Sequence, residues 1–310
     1  MIISVASGKG GTGKTTIAVN LALSLNNVHP VRNVELVDKE NVIFNGVQFL
    51  DCDVEEPNAH LFLKPRIKEE KGAFIPVPEV DETKCNYCGR CREVCAYNAI
   101  AVFSGSDNKN SRTGVPPVKT QGSILIFPHL CHGCGACNLF CPKQAIRETT
   151  KEIGIIEIGD VQGIQFVSGR LNVGETMSPP LIRQVKSHIN PNCTVIIDAP
   201  PGTSCPVITA VKNSDYCILV TEPTPFGLND LVLAVEVLRK LKISFGVIIN
   251  RADIGDDKVE NYCTEESISV LMKIPFDKEI AFLYSKGIPL VEEKKEYIER
   301  FQDMCEKILR

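Results

Sequence analysis

The sequence predicts an α/β fold, a doubly wound and mostly parallel sheet built around a phosphate-binding loop and interrupted by a small cysteine-rich module. Three observations carry this expectation. A glycine-rich loop at residues 8–15 joins a short apolar run to an apolar helix. After residue 150, strand-like and helix-like segments alternate, the pattern of a parallel sheet covered on both faces. Between these regions lie two tight runs of four cysteines, at 85–95 and 131–141.

Residues 2–6 form a short apolar run of the kind that makes a buried parallel strand. The helix after the loop places Ile17, Ala18, Leu21, Ala22 and Leu25 on one face. Residues 26–46 are polar, with Pro30 and an Asn45-Gly46 turn signal, and read as a long connection holding a hairpin at 34–44. A strand follows at 47–50, and the charge and proline of 65–78 read as a linker. Residues 104–122, rich in Ser, Asn, Gly, Pro and Lys, have little to bury and read as a loop. Later strands are expected at 153–158, 164–167, 194–197, 216–221, 245–249 and 269–274, with helices at 180–188, 206–212, 228–241 and 278–286. The nucleotide-binding domain is thus expected to be discontinuous, at 1–78 and 149–310, around an insertion at 79–148.

The chain has 310 residues, 44% of them hydrophobic, enough for a full α/β core and a second module. A net charge of -4 offers no basic stripe, so nucleic acid is not an expected partner. No apolar stretch is long enough to span a bilayer, and Met1-Ile2-Ile3-Ser4-Val5 reads as a first strand rather than a signal peptide. A cytoplasmic location is expected, and there 14 cysteines point to metal binding or redox work rather than disulfides.

Gly8-Lys9-Gly10-Gly11-Thr12-Gly13-Lys14-Thr15 matches the Walker A pattern between a strand and a helix. Its backbone N–H groups and the helix dipole would cradle the phosphates of ATP. Lys14 would reach the β- and γ-phosphates, Thr15 would place its hydroxyl on Mg²⁺, and Thr16 would help hold the α-phosphate. The second lysine, Lys9, marks a resemblance to the deviant Walker A group, which includes MinD, ParA, the nitrogenase iron protein and the Mrp-type carriers. In that group the extra lysine contacts nucleotide across a dimer interface, so the resemblance implies an ATP-dependent pairing with a second copy or a close paralogue. It also implies that Asp53, in Asp51-Cys52-Asp53, orients the attacking water, with Asp51 near the Mg²⁺ shell. Asp198, ending the apolar run Val195-Ile196-Ile197, takes the Walker B role toward Mg²⁺, and Gly202 opens the second switch. Asn250 and Arg251 end a later strand where the group recognises adenine; a plain strand-terminating Asn fits as well.

Cys85, Cys88, Cys91 and Cys95 give C-x₂-C-x₂-C-x₃-C, and Cys131, Cys134, Cys137 and Cys141 repeat it. The repeat continues, since Cys95-Ala96-Tyr97-Asn98-Ala99-Ile100 parallels Cys141-Pro142-Lys143-Gln144-Ala145-Ile146. This duplication resembles bacterial two-cluster ferredoxins, and the resemblance implies two 4Fe–4S clusters with crossed ligation. Cys85, Cys88, Cys91 and Cys141 would hold one, and Cys131, Cys134, Cys137 and Cys95 the other. Cysteine tetrads also bind zinc, but zinc motifs pair C-x₂-C units across a gap. Ala96 departs from the usual proline. Cys193, Cys217, Cys263 and Cys305 read as small buried hydrophobes, whereas Cys52 and Cys205 flank the switches. No C-x-x-C lies outside the two runs, which leaves a dimer-bridging cluster without support.

Nearly the whole chain resembles MinD-superfamily P-loop ATPases with an inserted ferredoxin-like domain. Asp51-Cys52-Asp53-Val54-Glu55-Glu56-Pro57-Asn58 and Gly287-Ile288-Pro289-Leu290 are part of that likeness. The tail at 292–310 puts Ile298, Phe301, Cys305 and Ile308 on one face, but its balanced charges favour a core-packed helix over a membrane-binding one. Three functions stay open: ATP-gated electron transfer to a redox partner, ATP-driven assembly of iron–sulfur or metal cofactors on an accepting protein, and spatial positioning with structural or sensory clusters.

Overall fold

A computed structural model of the chain describes residues 1–26, 46–105 and 122–309. The hairpin expected at 34–44 and most of the 104–122 loop lie outside these residues.

From the N-terminus, β1 (Ile2–Ala6) runs into the glycine-rich loop and α1 (Lys14–Asn26). β2 (Val47–Asp51), the short α2 (Ala59–Leu63) and a long β3 (Arg66–Val80) follow. The cysteine segment contributes α3 (Arg90–Val94), β4 (Ile100–Phe103), β5 (Ser123–Ile126) and α4 (Ala136–Leu139). Then come β6 (Ile146–Val161), β7 (Ile164–Leu171), α5 (Pro179–Lys186), β8 (Thr194–Asp198) and α6 (Cys205–Val211). β9 (Tyr216–Thr221), α7 (Pro225–Leu241), β10 (Ser244–Asn250), α8 (Lys258–Glu265) and β11 (Val270–Ile274) continue the alternation. The chain closes with α9 (Lys278–Ser285), α10 (Leu290–Glu293) and α11 (Glu296–Leu309).

The main sheet has the order β11-β10-β9-β1-β8-β2-β7-β6-β3, and the pairings from β11 through β7 are all parallel. The expected mostly parallel α/β sheet is present. It winds outward from β1, through β8, β2 and β7 on one side and β9, β10 and β11 on the other. Such a reversal leaves a crevice at the carboxyl ends of the central strands, where α/β sheets bind ligands. β6 and β7 are joined by Gln162 and Gly163, both at positive φ, a two-residue hairpin turn that makes this pair antiparallel.

Three features depart from the sequence reading. Residues 65–78 are not a linker: they lie almost wholly in β3, whose Ala73, Ile75 and Val77 are buried in strict alternation. Pro76 and Pro78 hid that period, and an edge strand tolerates them because its outer N–H groups have no ladder to join. The strand expected at 153–158 belongs to the longer β6. α1 is also buried on more than one face, since Val19 and Leu23 are buried as well as Leu21. α11 supplies part of the cover: Tyr297, Phe301, Met304 and Cys305 join the same core, and the Gln302 side chain donates to the Ser24 carbonyl at 3.0 Å.

The chain divides into two compact units. One comprises Met1–Lys71, Ile155–Leu171 and Leu181–Arg310, and the other Gly72–Gly154 and Asn172–Pro180. The second unit has a core of its own, in which Cys91, Ile100, Val102 and Ile146 are buried, and β4 pairs antiparallel with β5.

Candidate functional site: a phosphate loop and two cysteine cavities

The phosphate loop leaves β1 at Ala6 and enters α1 at Lys14. The Ser7 hydroxyl donates to the Lys9 carbonyl at 2.6 Å, fixing the loop's first bend. Two of its glycines are required by close approach. A Cβ on Gly8 would lie 2.3 Å from the Asp230 carbonyl oxygen, and one on Gly13, whose φ is +95°, would lie 2.7 Å from the Asn250 amide nitrogen. Lys14 and Thr15 are buried at the start of α1, whereas Gly10 and Gly11 are exposed. The Thr12 hydroxyl is buried without a partner.

Asp51 and Asp198 end neighbouring strands in register. Both are fully buried, and burial drives both carboxyls well above the usual range. The negative charge of Asp198 adds to this at Asp51. Neither oxygen of Asp198 has a hydrogen-bond partner of normal geometry, although the nearby Thr15 hydroxyl and Lys14 draw its pKa back down. Asp51 is arranged differently. Its oxygens accept the N–H groups of Asp53 at 3.2 Å and Ala59 at 3.1 Å, so it shapes the turn from β2 into α2. Asp51 therefore has a structural role in that turn, and it lies in register beside Asp198. Asp53 is pushed up to about 6 by burial, with Lys14 opposing and Glu55 and Glu56 adding to the rise.

Among the described residues, no three His, Cys, Asp or Glu side chains gather closely enough to enclose a single ion. Magnesium does not need them to, because it keeps several waters and takes one or two carboxylates plus phosphate oxygens. The orphaned Asp198 carboxylate beside Thr15 and Lys14 fits that role. This sets a prediction. Asp198→Asn removes a buried, unpartnered charge and is expected to stabilise the nucleotide-free protein by about 1–3 kcal/mol at neutral pH, while abolishing the added stability that Mg·ATP confers. The sign with pH follows from the raised carboxyl pKa. Its stabilising contribution is full below the ordinary carboxylate range and is lost as pH rises through the higher folded-state value, so wild type weakens relative to Asp198→Asn on going from pH 5 to pH 8. Thermal melts across that range, with and without Mg·ATP, measure both effects.

A cavity of about 280 Å³ adjoins the loop, lined by Gly13, Thr16, Asn250, Pro275, Phe276 and Tyr284 among others. Thr16 and Asn250 are therefore where a nucleoside attached to loop-bound phosphates would lie. Asn250 is already engaged. Its amide donates to the Thr12 carbonyl at 2.9 Å and accepts the Arg251 N–H at 3.0 Å, so it braces the phosphate loop. Arg251 and Lys9 meet at a residue the sequence reading did not single out. The Glu222 carboxylate, just beyond β9, receives Arg251 at 2.8 Å and Lys9 at 3.2 Å. The apolar wall at 275–284 and Glu222 carry no motif, and only their position after strand ends could have marked them.

In the second unit, the eight cysteines of the two runs divide between two cavities. One is lined by Cys131, Cys134, Cys137 and Cys95, the other by Cys85, Cys88, Cys91 and Cys141. Each set takes three thiols from one run and the fourth from the other. The halves are matched in detail. The second N–H after Cys85 and after Cys131 points at its sulfur at 3.4 Å, and the fourth after Cys95 and after Cys141 at 3.3 Å. N–H donation of this kind stabilises thiolate ligands and tunes an iron–sulfur centre. Four soft thiolates around each cavity fit a 4Fe–4S cluster.

The model of the ParA-type family, described as NUBPL iron-transfer P-loop NTPases, matches residues 1–77 and 181–309. The chain belongs to that family. Within the interval lie 4Fe–4S binding domain matches at 78–101 and 124–147. This P-loop NTPase is 32% identical over 312 residues to an uncharacterized protein of Methanocaldococcus jannaschii, covering 99% of this chain and 96% of that one. It is 30% identical to an iron-sulfur cluster carrier protein of Pyrococcus furiosus, over 93% of this chain and 78% of that protein. Among solved structures, the septum site-determining protein MinD of Pyrococcus horikoshii, complexed with Mg-ADP, superposes with a TM-score of 0.54 at 19% identity. That match covers 99% of this chain and 95% of MinD and establishes likeness of fold. No helix among the described residues is long and apolar enough to cross a membrane.

Proposed function

We propose that this NTPase binds and hydrolyses ATP at its phosphate loop, closes on a second copy through Lys9, and couples that cycle to electron transfer by two resident 4Fe–4S clusters. The single observation that carries the reading is the crossed division of the cysteines, four to each cavity. A cluster held by four thiolates of its own chain is built to stay, whereas cargo needs a labile or shared ligand. Bound clusters would supply one-electron storage near an exposed surface, since Cys88 and Cys134 are exposed.

In the NTPase half, Lys14 would neutralise the terminal phosphates while Thr15 and Asp198 hold Mg²⁺, which offsets their remaining charge. Asp53, whose carboxyl is pushed up to about 6, is mostly ionised at neutral pH and would accept a hydrogen bond from an attacking water and orient it.

A second reading, delivery of a cluster to an accepting protein, is favoured by the names of the family and of its Pyrococcus relatives. One experiment separates the two. The reconstituted, reduced protein is mixed with a one-electron acceptor and, separately, with an apo-ferredoxin, each with ATP, with ADP and without nucleotide. The electron-transfer reading expects nucleotide-dependent oxidation with the iron retained. Nucleotide-independent oxidation, together with iron moving into the apo-ferredoxin, would replace it with the delivery reading.

A further inference from the structure

Glu222 is the least expected charged group in the NTPase unit. It is only 7% exposed, follows β9, and lies outside the phosphate loop and both switches. Its backbone is held rigidly, because its carbonyl accepts the Thr224 N–H at 2.8 Å and a Cβ on Gly227 would come within 2.2 Å of the same oxygen. Two cations share its carboxylate, Lys9 on Oε2 and Arg251 on Oε1.

We propose that Glu222 is a latch that parks Lys9 within its own subunit until nucleotide-driven pairing draws it away. This rests on the reading above in which Lys9 acts across a dimer. Three features allow Lys9 to leave the Glu222 carboxylate. Its backbone is pinned by Ser7, yet its side chain is 31% exposed against 9% for Glu222, so the lysine can swing while the carboxylate cannot. A nearly buried carboxylate stripped of its only cation would be strongly destabilised. Here Arg251 remains when Lys9 leaves, so release does not strand a charge.

Arg251 is itself held in a left-handed backbone conformation, φ 52°, unusual for a non-glycine residue and the kind of strain that persists where a side chain must be aimed. It follows Asn250, which lines the cavity beside the loop and braces Thr12. The Glu222 pair of salt bridges therefore joins the nucleoside end of the site to Lys9. A base that shifts Arg251 changes how firmly Glu222 holds the lysine, and this gives nucleotide a route to the dimer-forming group.

The parking is tested in the nucleotide-free protein, without reference to pairing. Competitive reductive methylation read by mass spectrometry compares Lys9 with the exposed Lys240. Glu222→Gln is expected to raise the relative labelling rate of Lys9 about three- to tenfold, whereas Arg251→Met, which leaves the carboxylate to Lys9 alone, lowers it. General loosening of the fold would move both variants in the same direction. Equal Lys9 labelling in wild type and Glu222→Gln overturns the latch.

Its consequence is read by sedimentation with a non-hydrolysable ATP analogue, where Glu222→Gln is expected to lower the protein concentration for half-maximal pairing by a similar factor. A wild type that pairs with the analogue, and a Glu222→Gln variant with the same midpoint, overturn the latch alone. A wild type that stays monomeric at every concentration overturns the dimer reading, and the regulatory role falls with it.

Discussion

Lys14→Ala is expected to reduce ATP hydrolysis about 10²–10³-fold, the usual cost of deleting a preorganised charge from a water-poor site. Lys14 is 6% exposed at the first position of α1, where its ammonium and the helix dipole would act on the same phosphates. It also counters the burial that raises Asp53 and Asp198. Removing it lets both carboxyls rise further, and for Asp53 that means above about 6. The residual activity should therefore recover toward alkaline pH more than wild type does, because a higher pH is needed to ionise Asp53, the group proposed to orient the water. A pH–rate series on both proteins measures the two effects together. A variant retaining a third or more of wild-type activity with an unshifted profile would remove the loop from the chemistry.

Removing Cys95 is expected to cost the chain about half of its iron, and the half that goes is held mainly by the other run. Paired substitutions make this decisive. Cys95→Ala with Cys131→Ala affects a single cavity, so the double variant keeps about half the iron; Cys95→Ala with Cys85→Ala affects both, and nearly all is lost. Ligation within each run predicts the opposite order. Iron counts on anaerobically reconstituted protein decide between them, and circular dichroism of the apo-forms checks that all variants fold.

Much of the architecture was legible because its signals are local. The strand–loop–helix around Gly8 to Thr15 needs only neighbours in sequence, as do the repeated cysteine runs, and both are placed as expected. What local pattern could not provide was long-range pairing. The alternation of Ala73, Ile75 and Val77 becomes visible as a strand only once β6 lies beside β3. Asp51 illustrates the same limit within the site. Its place at a strand end marks it in the sequence, but that its oxygens also accept the Asp53 and Ala59 N–H groups and shape the turn is not visible there. Glu222 is the converse case, an acidic residue in an ordinary position that becomes distinctive only when Lys9 and Arg251, far apart in the chain, converge on it.

The prolines and charges of β3 bear also on how copies of the chain can meet. β3 is the outermost strand of the sheet, and an open edge invites another strand to add to it. Arg66, Lys68, Glu69, Glu70 and Lys71 are all exposed along it, and Pro76 and Pro78 each lack the N–H that an added strand would seek. Such an edge resists continuation of the sheet from one molecule into the next. Association is thereby steered away from open-ended, fibre-like stacking and left to surfaces that can be made conditional on nucleotide.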